Sequence, residues 1–174
     1  MSDQLIRGLI RDVPNFPSEG ILFKDITPVL RDAAAFTFAV QEFAKLSETY
    51  DLIAGVEARG FIFGAAIAKY AGKGFVPIRK SGKLPAPSYS ESYSLEYGEN
   101  VLQIHQDAIY QGERVFLIDD VLATGGTLGA PAKLVERCGG VVDTVAVLME
   151  IQGLPGRANF TMAYPNLEIE VLLT

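Results

Sequence analysis

Apolar residues along this chain fall into two recurrent patterns. Short runs at Leu52 to Val56, Phe75 to Ile78, Val101 to Ile104, Val115 to Ile118 and Val141 to Met149 have the length and β-branched content of sheet strands. Between several of them, apolar positions recur every three or four residues. Phe36, Val40, Phe43, Ala44 and Leu46 predict a helix from about Ala33 to Tyr50. Further helices are predicted over Leu5 to Val13, over Arg59 to Ala71, and from the turn after Asp120 to about Cys138, where Gly139-Gly140 ends it. Pro131 falls early in that last helix, where proline costs less than at the centre. Ile21 to Asp25 reads as extended up to Pro28, and Ile169 to Leu172 as a final strand. Strands alternating with helices imply an α/β fold, a mainly parallel central sheet with both faces covered. Without internal repeats or a linker, residues 1–174 read as one domain.

One segment breaks the alternation. Arg79 to Tyr97 is rich in Ser, Pro, Gly and Tyr and is too long and polar for an ordinary connection. Such loops in compact domains are functional lids or disordered segments.

Charge and rare residues then narrow the chemistry. The net charge of −6 argues against general nucleic-acid binding. Yet Ala58 to Ser90 contains no Asp or Glu, while Arg59, Lys69, Lys73, Arg79, Lys80 and Lys83 all fall inside it. A basic stretch in an acidic protein can focus a polyanionic ligand. Lys69 and Lys73 belong to a solvated face; Arg59, Arg79, Lys80 and Lys83 flank strand ends and loops and are the better candidates. The single Cys138 forms no internal disulfide and reads as a structural thiol, which fits a reducing cytoplasm. The single His105 receives no role. No apolar run reaches the length of a membrane span, and the N-terminus lacks the layout of a secretion signal, so neither a membrane nor nucleic acid is an expected partner.

The chemistry concentrates in Val115 to Thr127. The strand run ends in Asp119 and Asp120, at the carboxyl edge where open α/β sheets hold ligands. Ala123, Thr124, Gly125, Gly126 and Thr127 then form a small turn opening a helix. There, backbone N–H groups and the helix dipole favour an anion. Acids suited to sugar hydroxyls beside a cradle suited to phosphate fit a ribose 5-phosphate. The Walker loop and the dinucleotide fingerprint are both absent. A response-regulator acid pair would follow the first strand, whereas this pair comes late.

These thirteen positions resemble the phosphoribosyl diphosphate (PRPP) motif of the type I phosphoribosyltransferases. Three further segments are similar to the adenine phosphoribosyltransferase family in particular. They are Asn15 to Pro28, Glu57 to Phe61 joined by Ile78 to Pro85, and Ser92 to Gly98; the likeness runs from about Pro14 to Ile151. Lys24 departs from it, standing where arginine is frequent. The resemblance implies a type I fold with a small N-terminal base-binding hood (1–32) and a flexible lid loop (79–98). It also implies transfer of ribosyl phosphate from PRPP to adenine, giving AMP and diphosphate in purine salvage.

The resemblance also implies roles for individual residues. Asp119, Asp120 and the turn 123–127 would hold the ribose 5-phosphate. Arg59, Arg79, Lys80 and Lys83 would face the diphosphate, at least one of them across a homodimer interface. Mg²⁺ would be held mainly through PRPP oxygens and water, with no protein metal site. Phe23 would stack on adenine with Ile151 opposite, and the main chain at Leu22 and Lys24 would read its edge. A 6-oxo purine would leave those groups unpaired. Glu96 would manage a proton as catalytic acid or base, in a lid with Ser92, Tyr93 and Tyr97. Two alternatives stay open: a transferase for another base, and a PRPP-sensing regulator that performs no transfer.

Overall fold

The computed structural model of the chain describes residues 3–94 and 99–173. It begins with α1 (Asp3–Leu9), after which β1 (Arg11–Pro14) pairs antiparallel with β2 (Leu22–Asp25) as a separate two-stranded hood. The helix expected over Leu5 to Val13 therefore stops at Leu9, because Arg11 to Pro14 find strand partners in Asp25 back to Leu22. Pro28 sits in the first turn of α2 (Thr27–Arg31), where a missing N–H costs nothing. Asp32 caps α3 (Ala33–Leu46), accepting from the N–H groups of Ala34 and Ala35. That helix ends before Tyr50, with the Ser47 hydroxyl donating back to the Ala44 carbonyl.

β3 (Leu52–Val56), α4 (Arg59–Ala71) and β4 (Gly74–Lys80) make one crossover unit. β5 (Ser88–Ser94) and β6 (Glu99–His105) follow as an antiparallel pair. β7 (Val115–Leu122), α5 (Gly126–Arg137) and β8 (Thr144–Glu150) make a second crossover, and α6 (Gly156–Ala163) leads to β9 (Glu168–Leu173). The strands join in the order β5-β6-β4-β3-β7-β8-β9. Pairing is parallel from β4 through β9 and antiparallel at β6 and β5. This mainly parallel sheet is the architecture anticipated from the sequence.

β7 shows what fixes the register. Val115 and Leu117 enter one apolar layer with Leu134 and Val135 of α5, while Phe116 and Ile118 enter the other with Phe43 and Phe63. All four strand residues are fully buried. Sliding the strand by one residue would exchange every side chain between two differently shaped layers.

Residues 88–94, expected within the loop, instead form β5, paired along its length with β6. Alternate residues of β5 meet α5: the Arg137 guanidinium lies 4.8 Å from the Tyr89 ring centre, and Lys133 reaches Glu91 at 3.2 Å. The serines between them make a genuine strand look like loop. α6 has no counterpart in the sequence reading, since Phe160 is its one large buried side chain.

Candidate active site

The parallel strands all point their carboxyl ends at one edge of the sheet, and the turns after β3 and β7 open there around a cavity of about 280 Å³. Glu57, Arg59, Asp119, Asp120, Thr124 and Gly125 line it. Two close approaches shape the walls. A Cβ on Gly60 would lie 2.8 Å from the Ile118 carbonyl oxygen, so only glycine lets the start of α4 press against β7. Gly125 has φ +85°, the left-handed conformation that turns the chain into α5. The Glu57–Ala58 peptide preceding α4 is cis.

β7 runs on to Leu122, so Asp119 and Asp120 lie within the strand rather than beyond its end. Asp119 accepts from the Asp120 N–H at 2.9 Å. Asp120 is 3% exposed, and its Oδ2 lies 2.8 Å from Arg59 Nε. That oxygen makes no directional hydrogen bond, which leaves acceptor capacity at the cavity wall. Burial pushes the Asp119 carboxyl well above the usual carboxylate range, and the neighbouring Asp120 charge raises it further. Asp120 is also raised by burial, with Arg59 pulling the other way. The pair therefore has an unmet demand for hydrogen-bond donors or positive charge.

Glu57 organises the basic segment. Its carboxylate meets Lys83 at 2.6 Å and Arg79 at 3.3 Å, and accepts from the Lys80 N–H at 3.1 Å. Burial alone would raise its pKa, but Lys83, the Lys80 amide and Arg79 together hold it at about 2. Arg79 and Lys83 thus gather beside the cavity, whereas Lys80 contributes its backbone and leaves its side chain exposed. Glu57 received no role from the sequence, because its partners lie more than twenty residues further along the chain.

The two-stranded unit β1–β2 meets the site through Arg59. The Arg59 guanidinium lies 4.8 Å from the Phe23 ring centre, and its Nη1 donates to the Lys24 carbonyl at 3.2 Å. Phe16 braces Phe23 edge-on at 5.1 Å. Lys24 turns its ammonium to Asp12 at 2.6 Å, so it faces this region through its main chain. Leu22 is 46% exposed. Ile151 donates its N–H to Leu122 at 2.9 Å, beside the cavity lining.

Of the remaining candidates, Ala123 lines the cavity and Gly126 begins α5. Ser92 is exposed on β5 and Tyr93 is half-buried, its phenol pushed up chiefly by burial and further by Asp119. Glu96, Tyr97 and the side chain of Thr127 lie outside the described residues. Among the described residues, no three His, Cys, Asp or Glu side chains converge as a metal site.

The sequence and the fold are similar to those of known proteins. The model of the phosphoribosyl transferase domain matches residues 25–156. The adenine phosphoribosyltransferase of Thermoanaerobacter sp. (strain X514) is 54% identical over 159 residues, covering 90% of this chain and 92% of that protein. The chain belongs to the adenine phosphoribosyltransferase family. Among solved structures, the family member from Thermoanaerobacter pseudethanolicus superposes with a TM-score of 0.91 at 50% identity, covering 98% of each chain. The Saccharomyces cerevisiae adenine phosphoribosyltransferase, complexed with an imino-altritol bisphosphate and adenine, gives 0.90 at 37% identity, again over 98% of each chain.

Proposed function

We propose that this chain is an adenine phosphoribosyltransferase, converting adenine and PRPP to AMP and diphosphate in purine salvage. One observation carries the reading. Arg59 reaches from Asp120 to Phe23, so the acid pair suited to ribose and the aromatic platform suited to a base lie within one guanidinium's span.

In this reading Asp119 and Asp120 accept the ribose hydroxyls, and the turn 123–127 presents N–H groups to the 5-phosphate. Arg59, Arg79, Lys80 and Lys83 face the diphosphate; Glu57 holds Arg79 and Lys83 in place until an anion competes for them. Phe23 and Ile151 enclose adenine, and backbone groups of Leu22 and Lys24 pair with its edge. A purine nitrogen forms the new bond to the anomeric carbon while the bond to diphosphate breaks and its electron pair leaves with the diphosphate. Glu96 takes the proton released by the purine, in a lid with Ser92, Tyr93 and Tyr97. The unmet electrostatic demand of Asp119 and Asp120 fits a cation carried in on the substrate. Mg²⁺ bound there through PRPP would neutralise charge developing on the diphosphate.

We further place the enzyme in the cytoplasm, as a homodimer with adenine, PRPP, AMP and diphosphate as its partners. Among the described residues no helix is long and apolar enough to cross a membrane. Ile62 and Tyr70 stand exposed on α4, which supports a covered face there.

Incubation with labelled adenine, PRPP and Mg²⁺ should yield labelled AMP, with hypoxanthine, xanthine and orotate inert. Tight PRPP binding without product from any base would make the chain a sensor instead. Glu96→Gln should lose about a hundredfold or more in kcat while PRPP still binds; undiminished turnover would remove Glu96 from the mechanism.

A further inference from the structure

The turn at 123–125 does not stand alone. The first turns of α6 pack directly on its outer side. A Cβ on Gly156 would lie 2.1 Å from the Ala123 carbonyl oxygen, and one on Gly125 would lie 2.4 Å from the Gly156 carbonyl oxygen. Two backbones therefore touch where only glycine permits it. Beside this contact, the Asn159 amide donates from Nδ2 to the Thr124 carbonyl at 3.0 Å. Phe160, the next residue, is fully buried and anchors the helix.

This hydrogen bond has a directional consequence. In a trans peptide the carbonyl of one residue and the N–H of the next point in opposite directions. Holding the Thr124 carbonyl toward Asn159 turns the Gly125 N–H away from that amide, and Thr124 and Gly125 line the cavity whereas α6 does not. A glycine turn needs such a restraint, because glycine tolerates several peptide orientations at similar energy.

Resting on the phosphoribosyl reading of this cavity, we propose that Asn159 is a positioning residue. Its amide locks the Thr124–Gly125 peptide in the orientation that offers the Gly125 N–H to the 5-phosphate. Asn159 never touches the ligand. It acts through one peptide plane and bears on the phosphate end of the substrate alone.

The test uses the full chain and two probes, ribose 5-phosphate by calorimetric titration and PRPP with adenine by steady-state kinetics. Asn159→Ala should raise the Kd for ribose 5-phosphate and the KM for PRPP about three- to tenfold. The KM for adenine and kcat should stay within about twofold. Asn159→Leu, similar in shape but without a donor, should show the same loss. In ¹H–¹⁵N spectra the Gly125 amide should shift on saturation with ribose 5-phosphate in the native chain and shift less in both variants. Native ribose 5-phosphate affinity in both variants overturns the assignment, as does recovery by leucine, which would make the role one of shape. An equal loss toward adenine and PRPP also overturns it. A native chain that takes up no ribose 5-phosphate removes the cavity reading and this role together, whereas native uptake with unaffected variants removes only the role of Asn159.

Discussion

The two ends of the parallel strands are both polar, and they are built on opposite principles. At the amino end, charges are matched. Asp143 accepts from Tyr50 at 2.6 Å and from Arg114 at 2.7 Å, Arg114 lies over the Tyr50 ring at 5.1 Å, and the Arg114 N–H donates to Asp51 at 2.8 Å. Nearby, the Lys73 ammonium donates to the carbonyls of Ser47, Glu48 and Tyr50. At the carboxyl end, a buried Asp120 and a partly buried Asp119 stand side by side, and one guanidinium, that of Arg59, meets Asp120. The first end spends its polar groups largely on one another, although Arg114 Nε is left without a partner. The second keeps them in demand, and a binding site requires that condition.

The sharpest way to break this contrast is to neutralise the acid pair. Replacing Asp119 and Asp120 together by asparagine should weaken PRPP binding about a thousandfold, since two hydrogen bonds to charged groups are lost. The same change should raise Tm by about 2–4 °C, because an adjacent like-charge pair, one member of it buried, disappears. The stability gain depends on pH in a defined sense. A carboxyl whose folded pKa is raised destabilises the native state at neutral pH, and acidification through that raised pKa relieves the cost. The Tm gap between native protein and variant should therefore narrow as the pH falls from 7. A gap that widened would contradict the raised Asp119 pKa.

At the other end the expected effect is smaller and of the opposite kind. Asp143→Asn should cost about 1 kcal/mol in denaturant unfolding, because its partners are partly exposed, and should leave AMP formation unchanged. Loss of activity without loss of stability would show that the amino end reports to the site after all.

The smallest effect concerns Glu57, which sits at the carboxyl end but is matched like the amino end. Its folded pKa of about 2 lies below its ordinary 4.5. Its stabilising contribution is thus complete above about pH 4.5 and disappears as the pH falls toward 2. Comparison with Glu57→Gln should show a stability difference above that window that fades within it. A difference independent of pH would mean that the Glu57 charge is not what holds Arg79 and Lys83.

Much of this contrast was legible in the chain because its decisive parts are local. The run Val115 to Ile118 followed by Asp119, Asp120 and the glycine turn places strand, acids and the proposed phosphate cradle within thirteen consecutive residues. Helix α4 was bounded correctly at Arg59 and Ala71 by its apolar period. What escaped depends on distant or ambiguous signals. β5 alternates serine with tyrosine and glutamate, so its polarity hid its period. α6 buries too little apolar surface to register as a helix. Glu57 and Asn159 act on residues brought to them only by the fold, and Lys73, expected on a solvated face, finds three carbonyls just past the end of α3.

The two walls of the pocket belong to β3 and β7, whose pairing joins Leu52 to Val115 across one crossover unit and the β5–β6 pair. A ribosome releases the first wall long before the second. During synthesis Arg59 must wait for Asp120 until residue 125 has left the exit tunnel and the central pair of strands has zipped. Affinity for nucleotide is therefore among the last properties a newborn copy acquires, and a prematurely terminated copy ending before that point has half a mouth and nothing to close it on.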